Sequence, residues 1–142
     1  MSADPYRLER FVDAQRGVMD GVMAELRAGH KTGHWIWFVF PQLAGLGRSD
    51  MARYYGIGSI EEARAYLAHP VLGGRLRACV DALLAIEGRT AEDVLGPVDA
   101  MKVRSSMTLF HRAAPDDGSF PAVLAKWYGG VPDQLTDDLL IP

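Results

Sequence analysis

The sequence predicts an all-α fold, a compact single domain over residues 1–142 built of about seven to nine short and medium helices. Apolar residues recur at helical spacing in several segments, and helix-start residues stand in front of them. No alternating runs exist that could pair with the one long aromatic stretch, which as a lone strand would leave its backbone groups unsatisfied. That stretch, Trp35 to Phe40, is the centre of the chain and reads as buried helix. Trp35, Trp37, Phe38 and Phe40 each bury roughly 150–250 Å² when packed, so the run belongs inside.

The elements follow in order. Asp4-Pro5 reads as an N-cap with proline at the first helical position. Leu8, Phe11, Val12, Val18, Met19, Val22, Met23 and Leu26 then continue one stripe, which predicts a single long helix ending near Gly29. Arg7, Arg10, Asp13, Asp20, Glu25 and Arg27 lie mostly off that stripe and read as a solvated face. Gly29-His30-Lys31-Thr32-Gly33 is a small basic connector into the aromatic run. Pro41 breaks the run, Gly45 and Gly47 mark a turn, and Ser49 is placed to cap a short helix through Tyr54.

Ser59 with Glu62 predicts a capping box opening a helix that stops at His69 before Pro70. Val71, Leu72, Leu76, Cys79, Val80, Leu83 and Ile86 form the stripe of the next helix, where Gly73 and Gly74 suit a close crossing and Gly88 ends the pattern. Thr90 and Asp93 cap one more turn through Leu95, and Gly96-Pro97 reopens the chain into VDAMKVRSSMTLFHRA. Met101, Ser105, Thr108 and Arg112 share one face of that helix. Pro115 to Gly118 is a turn; a helix from Ser119 carries Val123, Leu124, Trp127 and Tyr128, and a last piece from Pro132 to Leu140 supplies Leu135, Leu139 and Leu140.

Composition bounds the class. A length of 142 residues suits one domain, and 49% hydrophobic with 23% charged residues is a globular mix that excludes a disordered chain. A net charge of -3 gives no general attraction for nucleic acid or an anionic membrane, so neither is expected as a partner. The longest apolar run is far short of the roughly 18 residues of a membrane span. The lone Cys79 falls in an apolar helical pattern and reads as a buried thiol, and the charged start of the chain has no signal-peptide layout; both lead to the expectation of a cytoplasmic protein.

RFVDAQ at Arg10–Gln15, HWIWFVFPQ at His34–Gln42, GLGRS at Gly45–Ser49, EARAYLAHPVLGGRL at Glu62–Leu76 and SSMTLF at Ser105–Phe110 together resemble the bacterial family known as domain of unknown function 1810. The resemblance spans nearly the whole chain and implies a mainly α-helical single domain, with no activity, substrate or catalytic set attached. Ile36 stands where the family pattern has methionine, a conservative packing change. Some members carry an automatic calpastatin label, which does not suit this composition, because inhibitors of that kind are disordered and repeat-bearing.

Chemistry is read next to that. His30 and His34 are four apart, but Gly29 and Gly33 interrupt the helix that two ligands on one face would need, so no metal is expected, and no cofactor. No exposed cysteine and no GxSxG elbow suggest a nucleophile. The leading expectation is a pocket where Lys31–Trp35, the Arg48–Ser49 turn and the Asp99–Thr108 helix converge. Lys31, His34, Arg48, Lys102 and Arg104 would supply cations and donors, Trp35 or Trp37 a flat surface, Ser49 a helix start beside Arg48, and Ser105 and Thr108 orienting hydroxyls. Such parts suit a small anionic, ring-bearing, nucleotide-like ligand; in a hydrolytic version His34 or Asp99 would act as general base. Whether the protein is an enzyme is left open. The competing expectation is a helical interaction module with a protein partner, whose sign would be a contiguous exposed apolar patch.

Overall fold

The structure, a computed structural model, describes residues 4–141; residues 1–3 and 142, which the single-domain expectation includes, lie outside the described residues. Among the described residues the helices are α1 (Glu9–Gln15), α2 (Met19–Ala28), α3 (Ile36–Val39), α4 (Asp50–Tyr54), α5 (Ile60–Ala68), α6 (Leu72–Ala85), α7 (Ala91–Leu95), α8 (Pro97–Ala113), α9 (Ser119–Tyr128) and α10 (Gln134–Leu140). The fold is all-α, with ten helices against the seven to nine expected. None of them is long and apolar enough to cross a membrane.

α8 is the axis. A helix wet on one side buries residues at three- and four-residue spacing, whereas every residue from Ser105 to Phe110 is buried. It is surrounded by α5, α7, α9 and α10, and touched by α3. The hydroxyls in this crowded segment bond back into their own helix: Ser105 Oγ donates to Met101 O at 3.1 Å and Thr108 Oγ1 to Arg104 O at 2.9 Å.

The aromatic run forms a single helical turn, α3, with Trp35, Ile36, Val39 and Phe40 buried. Its position is fixed by Gln15, only 1% exposed, whose amide donates to Phe38 O at 2.7 Å and to the Tyr66 hydroxyl at 3.2 Å while accepting from Arg75. Burial pushes the Tyr66 phenol above its ordinary range. The turn that follows is closed by an isolated parallel bridge between Leu43 and Ile57, and Ser49 caps α4 as expected. The capping box at Thr90 and Asp93 forms fully. At Ser59 only half of one forms: Ser59 caps Glu62 N, but the Glu62 carboxylate turns to Gly58 N and to Arg10. The Cys79 thiol is buried, which pushes it up to about 12 and leaves it without nucleophilic character.

Four expectations are corrected. The single long first helix is two helices, because Gly17 takes a left-handed φ of +77° between them. The first of these starts at Glu9 rather than Pro5: Asp4 caps the amides of Leu8 and Glu9, and Arg7 turns the chain at φ +54°. Neither Arg10 nor Glu25 belongs to a solvated face. Arg10 is buried beside Glu62 (2.9 Å), and Glu25 holds the connector, as described below.

The fourth correction concerns α10. Leu135 and Leu139 are 64% and 52% exposed, while Thr136 is buried. Polar clamps decide this orientation. Thr108 Oγ1 accepts from Asp133 N at 2.9 Å, and Arg112 grips Asp137 with two bonds of 2.8 and 2.9 Å, so Leu135 and Leu139 face outward while Leu140 alone of the three leucines packs against the core. Those Arg112 bonds hold the Asp137 carboxyl below its ordinary value of 3.8 against the opposing effect of burial. A carboxyl depressed on folding contributes stability above its unfolded pKa and loses it as pH falls through the folded one. Acid below about pH 4 is therefore expected to release α10. Asp137→Asn should do the same at neutral pH, read as faster amide exchange over residues 134–140; unchanged exchange in the variant would refute the clamp.

Candidate functional site

The connector after α2 is sewn down at both ends. Glu25 Oε1 accepts the backbone amides of Thr32 (2.5 Å) and Gly33 (2.8 Å) and the Trp35 indole N–H at 3.2 Å. Burial raises the Glu25 pKa, but the bonds from Gly33, Thr32 and Trp35 outweigh it and hold the carboxyl below its ordinary value. On the other side Lys31 N donates to Val94 O at 2.8 Å. With its backbone fixed, the Lys31 side chain can reach only a short arc. Its ammonium meets Asp99 Oδ2 at 2.7 Å, donates to Gly33 O, and lies 5.0 Å from the centre of the Trp35 ring.

Asp99 occupies the first turn of α8, where the helix dipole favours an anion, and Lys102 follows one turn later. Lys102 Nζ is 3.9 Å from Asp99 Oδ1 and 4.9 Å from the centre of the Trp37 ring. The result is a row of two lysines around one carboxylate, each lysine backed by a tryptophan. Lys31 takes the short contact with Asp99, so the Lys102 charge is the less compensated of the two. The side chains of Lys31, Asp99 and Lys102 are only 7%, 20% and 24% exposed, which strengthens every interaction in the row relative to open water.

Lys102 also forms part of the wall of a hollow of about 200 Å³, together with Gln42, Leu46, Met101, Ser105 and Asp133. Gln42 and Gly47 continue from it into a narrow void beside Trp37, with room for about one water-sized sphere. The Trp37 indole N–H is buried and has no hydrogen-bond partner among the described residues. Across the hollow, Asp133 is the N-cap of α10, its Oδ2 accepting from Thr136 N at 3.0 Å and Thr136 Oγ1 at 2.6 Å. Val98, Met101 and Leu135 form an exposed apolar lip.

Of the residues expected to converge, Lys31, Asp99 and Lys102 form one row of charges with Trp35 against Lys31, but only Lys102 and Ser105 line the hollow. Thr108 is fully buried and committed to Arg104 O and Asp133 N, so it holds α10 instead of facing a hollow. Arg104 is turned to Val131 O. Arg48 and Ser49 are exposed on the turn, with the Ser49 hydroxyl accepting from Ala52 N. His34 is exposed and lines a different hollow, beside Glu25. The apolar wall residues were not expected at the site, and two polar side chains of the wall were not expected there either. Gln42 closes the HWIWFVFPQ motif and could have been found there; Asp133 announces itself only as a helix cap, by its spacing from Thr136.

The family model described as protein of unknown function, DUF1810, matches residues 5–140. The chain is similar to the conserved hypothetical protein Rv1873 from Mycobacterium tuberculosis, known from a crystal structure at 1.38 Å: the two are 54% identical over 96% of this chain and 98% of that one, with a TM-score of 0.95. No curated protein matches.

Proposed function

We propose a function from the premise that this chain belongs to the DUF1810 family, whose description assigns none: it binds a small anionic, ring-bearing ligand in the hollow between the Gln42–Gly47 turn, α8 and the start of α10. The observation that carries this reading is Lys102, three-quarters buried, backed by Trp37 and only loosely paired, on the wall of that hollow. An anionic group on the ligand would meet the Lys102 ammonium. The ring would lie between Leu46, Met101 and Leu135, and hydroxyl or amino donors on its far side would face Asp133. Ligand sites commonly measure about 300–1,000 Å³; at about 200 Å³ this one suits a sugar phosphate or one end of a nucleotide, with the remainder outside. Asp99, held by Lys31 at 2.7 Å, serves to position the row of lysines more naturally than to abstract a proton.

Thermal-shift titration with ribose 5-phosphate and nucleoside monophosphates, beside their uncharged parents, tests this. The phosphorylated compounds should stabilise the protein, by about 2.7 kcal/mol at a hundredfold excess over Kd. Lys102→Ala should abolish the response with little change in the unliganded melting temperature, since Asp99 keeps its short pair with Lys31. No stabilisation by any of these compounds, or an undiminished response in the variant, would defeat the proposal.

A second reading has its own observation. Val98, Met101 and Leu135 at the hollow and Leu139 one turn farther along α10 are 63%, 71%, 64% and 52% exposed, apolar surface of the kind an interaction module would use. It gains if the compounds above fail and one stoichiometric protein partner is retained by the wild type but not by Met101→Glu.

A further inference from the structure

A second hollow, of about 350 Å³, opens on the other side of the connector, between the α1–α2 turn, α2 and the start of α3. Its walls are apolar and partly aromatic: Val18, Val22, Trp35 and Phe38. Glu25 is the one carboxylate among the lining residues, with His34 beside it. Glu25 Oε1 accepts the Thr32 and Gly33 amides and the Trp35 indole N–H, and the Thr32 side chain also bonds this carboxylate; all of these donors are neutral, so they leave its negative charge in place. Lys31, the cation stacked on Trp35, is already paired with Asp99 at 2.7 Å and does not neutralise Glu25.

Glycine at position 21 adds an independent sign. Gly21 is the third residue of α2, has no left-handed φ, and a Cβ built on it would meet nothing within 4 Å. Neither the backbone nor the packing requires glycine there, although it weakens a helix by up to about 1 kcal/mol relative to alanine. It is one of the residues that line this hollow, where the absence of a side chain leaves the space open.

We propose that this hollow is a binding site for a free quaternary ammonium compound, with the alkylated cation against the aromatic and valine walls and its charge facing Glu25. A quaternary head is weakly hydrated and needs no hydrogen-bond acceptors, so one carboxylate with π-bearing walls satisfies it, whereas a primary ammonium would leave donors unmet. The site is distinct from the Lys102 hollow and opposite in charge preference.

Choline is the probe, with 3,3-dimethylbutan-1-ol as its neutral isostere, and the reporters are the NMR signals of the Trp35 indole N–H and the Gly33 amide, both bonded to Glu25. Choline should shift both signals saturably, and the isostere should bind at least about tenfold more weakly. Gly21→Leu, one turn before Glu25 on the same helix face, narrows the hollow, so it should abolish the choline response while the Trp35 indole and Gly33 signals, still present, report that the Glu25 bonds remain. Phosphatidylcholine vesicles carry the same head group on a surface and should give no response, because Trp35 is only 4% exposed. No saturable shift with choline, an equal response to the isostere, a Gly21→Leu variant that still binds, or binding to vesicles in place of free choline would each overturn the proposal.

Discussion

Replacing Arg10 by methionine is expected to destabilise the protein by about 3–5 kcal/mol, the usual consequence of removing one partner from a buried ion pair. Arg10 and Glu62 have side chains only 8% and 10% exposed, and the Arg10 guanidinium does more than pair with Glu62. It donates to Tyr6 O and Arg7 O ahead of α1, and to Tyr54 O and Gly56 O at the end of α4, all within 3.0 Å, while stacking 4.4 Å from the Phe11 ring centre. One planar fork thus closes three segments at once. Lysine, a point charge with three donors, cannot reproduce that span, so Arg10→Lys should recover only part of the loss. Denaturant titration of Arg10→Met, Glu62→Met and the double variant gives the coupling directly; losses that simply add would show that the two side chains do not act as a pair.

Gly73→Ala is expected to be the other severe substitution. A Cβ at Gly73 would lie 2.1 Å from Leu67 O, a backbone atom that cannot swing aside, so α5 and α6 would have to separate at their corner. Overpacking typically costs about 1–3 kcal/mol, and a collision with backbone belongs at or above the upper end. Its neighbour is the control. A Cβ at Gly74 meets nothing within 4 Å, so Gly74→Ala should stabilise the protein by up to about 1 kcal/mol through helix propensity alone. Melting temperatures for the pair should therefore move in opposite directions, and a shared direction would disprove the tight crossing.

These residues also show what can be read in a sequence of this kind. Local rules worked where the partners are local: Ser49, Thr90 with Asp93, and the stop at His69 before Pro70 all act within a few positions. The close crossing was visible as a glycine pair, but only tertiary geometry says that Gly73 needs it and Gly74 does not. Arg10 looked like surface because its partners lie 44, 46 and 52 positions away, beyond any window of periodicity. The apolar stripe runs on through Val18 and Met19 past Gly17, whose left-handed φ is a backbone choice that leaves no mark on the apolar pattern.

The candidate site was legible in the same measure. Lys31 could be picked out in its basic connector, and Asp99 and Lys102 as charges on a helix with apolar neighbours, and the three do meet. The hydroxyls of Ser105 and Thr108 looked alike in sequence, yet one borders the hollow and the other is spent on joining α10 to α8. His34 and Trp35 are adjacent to Lys31 but border the opposite hollow, since the connector forms a wall with two sides.

The polar attachment of α10 has a thermal consequence. Heat capacity changes on opening in proportion to the apolar surface newly wetted, and Leu135 and Leu139 are already largely in solvent. Of its three leucines only Leu140 packs against the core, so detaching this helix carries little of the curvature that governs the melting of the whole molecule. Its bond to α8 neither weakens markedly on cooling nor strengthens on mild warming, and one wall of the Lys102 hollow stays similarly secured from cold to physiological temperature.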